Sequence, residues 1–244
     1  MTSDYEEIFA RRGQSYDAAM QKYPRARDSE FENLFNAFTP APRSIVLDLP
    51  SGGGYLSGHL PAGCLIESAE PSDQFSTASH LTREVDLENL QLKSSYFDVL
   101  VYLAASHHIE NKQGLFHSAF KALKHGGHFL LGDVLSGSPI AEYLDGFTSQ
   151  YNGTGHEGDY LTIELCEKLA SEAGFTVVDA KEYPCPWNFR NLEELAEFSC
   201  LLFGMTGVSR QRFLDALNDK IGISRTADGV QLDWRLLYLT AQRP

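Results

Sequence analysis

Asp48 closes an apolar run, Ser44-Ile45-Val46-Leu47, and leads directly into Leu49-Pro50-Ser51-Gly52-Gly53-Gly54. A buried strand that ends on an acid and breaks into glycines brings backbone close to a ligand, because glycine has no Cβ to hold it off. Glu70 stands just past the next apolar run, where a carboxylate accepts both hydrogen bonds of a ribose diol. Asp86 lies past a short run, Leu81 to Val85, within reach of an adenine amino group. Three acids at the ends of successive parallel strands converge on one crevice and describe an adenosine-shaped site. His107, His108 and His156 supply imidazoles for proton transfer, His156 within the polar loop Gly153 to Tyr160. Glu157 and Asp159 adjoin His156, but no second histidine stands at ligand spacing from it, so no metal is expected.

The turn does not fit a nicotinamide cofactor. Ser57 occupies the position of the third glycine or alanine of a dinucleotide fingerprint, and none of the eleven tyrosines is followed four residues later by lysine. No basic cluster adjoins the turn to neutralise a pyrophosphate. A cofactor without phosphate fits better.

The elements that must position these residues alternate. Helical patterns over Tyr5 to Gln21 and Asp28 to Phe38 come first, the second with Phe31, Leu34, Phe35 and Phe38 on one face. Strand patterns follow at Ser44 to Leu49, Cys64 to Ser68, Phe97 to Leu103 and His128 to Val134, the rhythm of a parallel sheet. The periodicity predicts a crossover helix over Lys112 to Lys124, closed by His125-Gly126-Gly127, and another from Thr162 to Ala173, stopped by Gly174. A strand from Phe175 to Glu182, helices opening at Asn191 and Ser209, and a last strand from Leu232 to Thr240 complete the chain. One domain with a helical lid is expected.

Composition narrows the class. With 244 residues, 43% of them hydrophobic, the chain has enough apolar material for one full core. A net charge of -13 repels a phosphate backbone and argues against nucleic acid. No segment approaches the roughly 18 apolar residues that span a bilayer, and the acidic N-terminus lacks the regions of a signal peptide, so a cytoplasmic protein is expected. Cys64, Cys166, Cys185 and Cys200 form no C-x-x-C pair and read as reduced thiols.

Five ordered stretches carry a resemblance. They are Val46 to Gly54; Glu70-Pro71-Ser72; Asp86 to Leu90 followed by Tyr96 to Val101; Ala104-Ala105-Ser106-His107-His108-Ile109; and Ala122 to Leu130 with its Gly126-Gly127 turn. In order and spacing the chain resembles a class I S-adenosylmethionine-dependent methyltransferase of the small-molecule, type 11-like kind. The resemblance runs from about Ser44 to Val134 and more loosely to the end.

It implies a Rossmann-like α/β fold: a mostly parallel seven-stranded sheet with helices on both faces, an antiparallel last strand, N-terminal helices and a helical insertion before that strand. A single domain over 1-244 would divide into a cap (1-40), a cofactor half (43-135) and a substrate half (136-244) with its lid at 188-222. The implied cofactor is S-adenosyl-L-methionine, the product S-adenosyl-L-homocysteine, and the reaction in-line transfer of a methyl group to a small-molecule acceptor. Asp48, Pro50, Ser51 and Gly52 would hold the amino-acid end, Glu70 the ribose, and Asp86 with Leu87 the adenine, with Ala104 beside them. His107 and His156 are the candidate bases, and Tyr16, Tyr102, Tyr160 and Trp187 the candidate substrate contacts.

Some readings stay open. Pro50 replaces the first glycine of the motif and removes a backbone donor, shifting contact to Ser51 and Gly52. Tyr102 either lines the transfer pocket or packs. Tyr16, Tyr23 and Arg25 either close over the cofactor or form helix surface, and Pro184 to Phe189 is either an aromatic pocket wall or an anchor for the inserted helices. Alternatives to methyl transfer are another outcome of the same cofactor, such as intramolecular cyclisation, and a non-catalytic cofactor-binding protein. No membrane partner is expected, and the chain would act as a monomer or homodimer.

Overall fold

A computed structural model describes residues 5-75, 82-83 and 85-244. In chain order the elements are α1 (Tyr5–Lys22), α2 (Asp28–Asn33), β1 (Ile45–Asp48), β2 (Leu65–Ala69), β3 (Thr82–Arg83), β4 (Phe97–Leu103), α3 (Lys112–Ala122) and β5 (Leu123–Asp133). Then follow α4 (Pro139–Tyr143), a π-helical turn (Leu144–Thr148), α5 (Ser149–Tyr151), α6 (Ile163–Ala173), β6 (Thr176–Pro184), β7 (Trp187–Phe189), α7 (Leu192–Phe203), α8 (Arg210–Lys220), β8 (Ile223–Thr226), β9 (Gly229–Leu232) and β10 (Arg235–Gln242).

Seven strands form one sheet in the order β3-β2-β1-β4-β5-β10-β6, and β10 runs antiparallel to both its neighbours. The pairs among β1 to β5 are parallel. This is the Rossmann-like sheet with an antiparallel last strand. Strand period 2 sends alternate side chains to opposite layers: Leu47, Leu100, Leu131 and Leu239 join α3 and α6, while Val46, Val101, Leu130 and Tyr238 join α4, α7 and α8. Both faces are covered, which is why these strands read as continuous apolar runs.

Several expected boundaries shift. The second helix stops at Asn33, short of Phe38, because the Phe38 ring is drawn out to stack on His128, 3.6 Å between centroids. The crossover helix ends at Ala122: the Arg243 guanidinium takes the Phe120, Lys121 and Leu123 carbonyls, and β5 starts at once. Of the expected third strand, Thr82–Arg83 is strand, and Leu81 and Glu84 lie outside the described residues. The insertion is not wholly helical: β7, β9 and β8 form a second, antiparallel sheet. Asn191 and Ser209 do cap α7 and α8, accepting from the Glu194 and Arg212 amides.

Candidate functional site

The C-terminal ends of β1, β4 and β5 open onto a cavity of about 950 Å³, part of it open to solvent. The chain leaves β1 through Asp48 and a cis Leu49-Pro50 peptide. Gly52 (φ +50°) and Gly54 (φ +75°) then adopt left-handed backbone that favours glycine. The turn lets the Gly52 amide donate to Glu70 Oε2 at 2.7 Å, and Glu70 also accepts from the Ser72 amide and the Tyr5 hydroxyl. Burial pushes the Glu70 carboxyl up to about 7 against the pull of those donors.

Asp48 is 5% exposed, and its Oδ2 has no hydrogen-bond partner; neither does the Ser51 hydroxyl. Burial first, and the neighbouring Glu70 charge second, raise the Asp48 carboxyl to about 8. Buried polar atoms are seldom left unsatisfied, so these two mark a place for a ligand's donors. An ammonium there meets both needs. The residues present therefore fit the amino-acid end of a cationic, amine-bearing cofactor.

Across the cavity, β4 is followed by Ala104, a non-glycine residue at φ +55°, beyond which His107 and His108 sit on one turn. His107 Nδ1 lies 2.6 Å from Asp133 Oδ1 at the end of β5. Burial works to raise the Asp133 carboxyl, but the His107 ring and the donors on His107, Ser106 and Val134 hold it below the usual range. His156 reaches the same place from its loop, with Nδ1 2.9 Å from Asp145 Oδ1 in the π-helical turn. Asp145 also accepts from Tyr160 Oη and the Gly158 amide, and the loop is tied down by the Asp159 amide donating to the His107 carbonyl. Burial lowers the His156 pKa despite Asp145, so the ring is neutral at pH 7.

Of the residues singled out in the sequence, Tyr16, Asp48, Pro50, Ser51, Gly52, Ala104, His107, His108, His156 and Trp187 line this cavity together. Others do not. Glu70 stands behind the turn, holding Gly52. Asp86 is exposed and accepts from the Glu88 amide, while Leu87 is buried in the core. Tyr102 faces the α3 and α6 layer, opposite in parity to the lining residue Leu103, so it packs. Tyr160 stacks on His107 from behind, 5.3 Å between centroids. Tyr23 bonds Glu197 and packs half-buried on Phe189 and Phe198, while Arg25 pairs with Asp28 at the exposed surface of the leading segment. Trp187 both lines the cavity and anchors, its indole N–H donating to Glu30, which also pairs with Arg27.

Asp133, Asp145, Arg12 and the Arg27–Glu30 pair are additions. Asp133 was findable by the rule that exposed Asp48: an acid closing a parallel strand. Arg12 follows Phe9 and precedes Tyr16 on the cavity face of α1; its Nε and Nη1 have no partner, and burial lowers its pKa to about 10.

Residues 19–180 match a family model described as a methyltransferase domain, about two-thirds of the chain. The chain belongs to the methyltransferase-domain family. It is a class I methyltransferase in fold, and the family's methyl donor is S-adenosyl-L-methionine. Among solved structures, an S-adenosylmethionine-dependent methyltransferase of Thermotoga maritima superposes with TM-score 0.63 at 15% identity, over 98% of this chain and 99% of that one. The phosphoethanolamine N-methyltransferase 2 of Haemonchus contortus, in complex with S-adenosyl-L-methionine, gives 0.64 at 15%, over 99% of this chain and 60% of that one. The [4+2]-cyclase SpnF gives 0.63 at 13%, over 100% and 98%. At these identities the likeness is one of fold. No curated protein matches the chain. Among the described residues no helix of this methyltransferase is long and apolar enough to cross a membrane.

Proposed function

We propose that this chain methylates a small-molecule acceptor held in the cavity between Asp48 and the histidines. The observation that carries the reading is the pair of unpartnered buried atoms, Asp48 Oδ2 and Ser51 Oγ, on residues that line the same cavity as two imidazoles braced by carboxylates. When bound, S-adenosyl-L-methionine supplies an activated methyl group open to in-line displacement. Asp48, Ser51 and Gly52 would hold its amino-acid end, and Glu70, which orders the turn, would take the ribose; Asp86 and Leu87 stand outside the cavity and would meet the adenine only at its outer edge. Positioning contributes most of the rate, since proximity alone supplies about 7–11 kcal/mol in favourable cases. His107 and His156 accept the acceptor's proton, each kept in the required tautomer by its carboxylate. Tyr16 and Trp187 shape the acceptor wall, and the aromatic enclosure suits a metabolite better than a protein.

Calorimetry with S-adenosyl-L-methionine and S-adenosyl-L-homocysteine tests the cofactor half: both bind, and Asp48→Asn binds neither. Incubating the enzyme with S-adenosyl-L-methionine and a metabolite extract, followed by mass spectrometry, tests the acceptor half. A metabolite gains one methyl group and S-adenosyl-L-homocysteine accumulates; methylthioadenosine in its place sinks methyl transfer in favour of cyclisation.

A further inference from the structure

His107, His108 and His156 meet although the chain separates the pair from the third. One ring nitrogen of each lies within 4.8 Å of the others, all three side chains are buried, and all three line the cavity. Three nitrogens on a tetrahedral metal with bonds of about 2.0–2.1 Å stand roughly 3.4 Å apart, so binding one requires the set to close from its present spacing. Two of the rings are already prepared for it. The Nδ1 atoms of His107 and His156 face Asp133 and Asp145, which directs the Nε2 lone pairs away from the carboxylates. Metal-bound histidines characteristically donate their other ring N–H to a carboxylate in this way. Two independent carboxylate-braced imidazoles beside a third are more than general-base chemistry requires.

We propose that His107, His108 and His156 form a three-imidazole site for a divalent transition metal of the zinc class, with its remaining coordination position open to the cavity. Imidazole donors suit zinc, iron, nickel and copper over magnesium or calcium. Three protein ligands and an open fourth position are the arrangement of catalytic rather than structural sites. Arg12 is the opposing influence, since its charge reaches His156 from α1. An anionic oxygen donor in the open position screens the two cations from each other, so the ligand class expected there is a carboxylate, phenolate or alkoxide oxygen. With a metal bound, His107 and His156 would be ligands rather than free bases, so the oxygen donor would have to enter already deprotonated; its use as the methyl acceptor rests on the proposed methyl transfer, and the metal site itself does not. No local spacing marks the set, because His156 lies far along the chain from the His107-His108 pair.

The test uses the full chain, stripped with a chelator and titrated with Co²⁺ in the absence of any cofactor, so that it is separable from failure of the methyltransferase reading. The expected result is one Co²⁺ per chain with intense visible bands of low coordination number, displaced by Zn²⁺. His107→Ala and His156→Ala abolish the bands, His125→Ala at the exposed end of the sheet leaves them, and Asp133→Asn and Asp145→Asn weaken affinity by roughly 10- to 100-fold. Circular dichroism and a cooperative thermal melt verify that each variant is folded, and His→Gln replacements serve where an alanine variant fails that check. A spectrum like that of aqueous Co²⁺, or uptake that survives loss of His107 and His156 together in a folded variant, overturns the site.

Discussion

His107 Nδ1 stands 2.6 Å from Asp133 Oδ1, and the same carboxylate accepts from the His107 amide. Backbone and ring of one residue are thus fixed by a single acid at the end of the neighbouring strand. Asp133 is 1% exposed, and donors from Ser106 and Val134 complete its shell. An amide in its place offers the ring a donor where it now meets an acceptor, favouring the other tautomer. Asp133→Asn is expected to lower turnover of the identified acceptor by about 10²- to 10⁴-fold, the usual range for general acid–base catalysis, while cofactor affinity stays close to wild type. Single-turnover kinetics beside calorimetry checks it; an equal loss in both would make Asp133 a structural residue.

Asp48 sets function against stability. Its carboxyl is raised to about 8 in the folded chain, against about 3.9 unfolded. The folded state therefore holds a proton that the unfolded state releases, and Asp48 contributes a stability loss that grows as pH rises from about 4 to about 8. Asp48→Asn removes that cost. The variant should melt higher than wild type at pH 8, with the gain shrinking as pH falls and vanishing near pH 4. Scanning calorimetry at the two pH values decides it. Because a cationic ligand re-ionises Asp48, binding at pH 7 should also release protons, visible as a dependence of binding enthalpy on the buffer.

Much of this was legible in the sequence, for identifiable reasons. β4 was bounded correctly and β1 nearly so, because strands buried on both faces are continuous apolar runs. Caps at Thr162, Asn191 and Ser209 were visible because capping is local chemistry. The β8–β9 hairpin was missed although Asp228-Gly229 is a turn signal, since the short strands around it are mostly polar and exposed. The meeting of His156 with His107 was beyond local reading: it depends on a π-helical turn that presents Asp145 and on the strap from Asp159 to His107. Of the two places open to Tyr102, parity selects the core, since one step along β4 separates the cavity face from the core face.

Trp187 is 1% exposed and its indole N–H donates to Glu30, whose other oxygen pairs with Arg27. Trp187→Phe keeps most of the ring area against Trp234 and removes the donor, leaving a buried carboxylate oxygen short of a partner. The expected cost is about 1–3 kcal/mol in stability. Urea denaturation should give a lower midpoint at unchanged slope, whereas an unchanged midpoint would mean that Trp187 serves the cavity alone.

Tyr5 competes for the carboxylate that the ribose needs. Glu70 Oε2 already accepts from Gly52 and Tyr5, and Oε1 from Ser72, so a diol donating twice must displace one donor. Tyr5 is the side chain among them, carried on α1 over the cavity mouth. Removing its hydroxyl frees an acceptor site, but it also takes away a donor that helps hold Glu70 down near 7, so the Glu70 pKa rises. The two effects separate by pH. At pH 8.5, where Glu70 stays ionised, Tyr5→Phe should bind S-adenosyl-L-methionine about 2- to 12-fold more tightly, the factor for one hydrogen bond of about 0.5–1.5 kcal/mol. At pH 6.5 the protonated carboxyl accepts less and the advantage shrinks. Glu70→Gln should be weaker than wild type at both. Isothermal titration of the three proteins at the two pH values checks the pattern; a Tyr5→Phe variant weaker than wild type at pH 8.5 would show that the tyrosine orders Glu70 rather than competing for it.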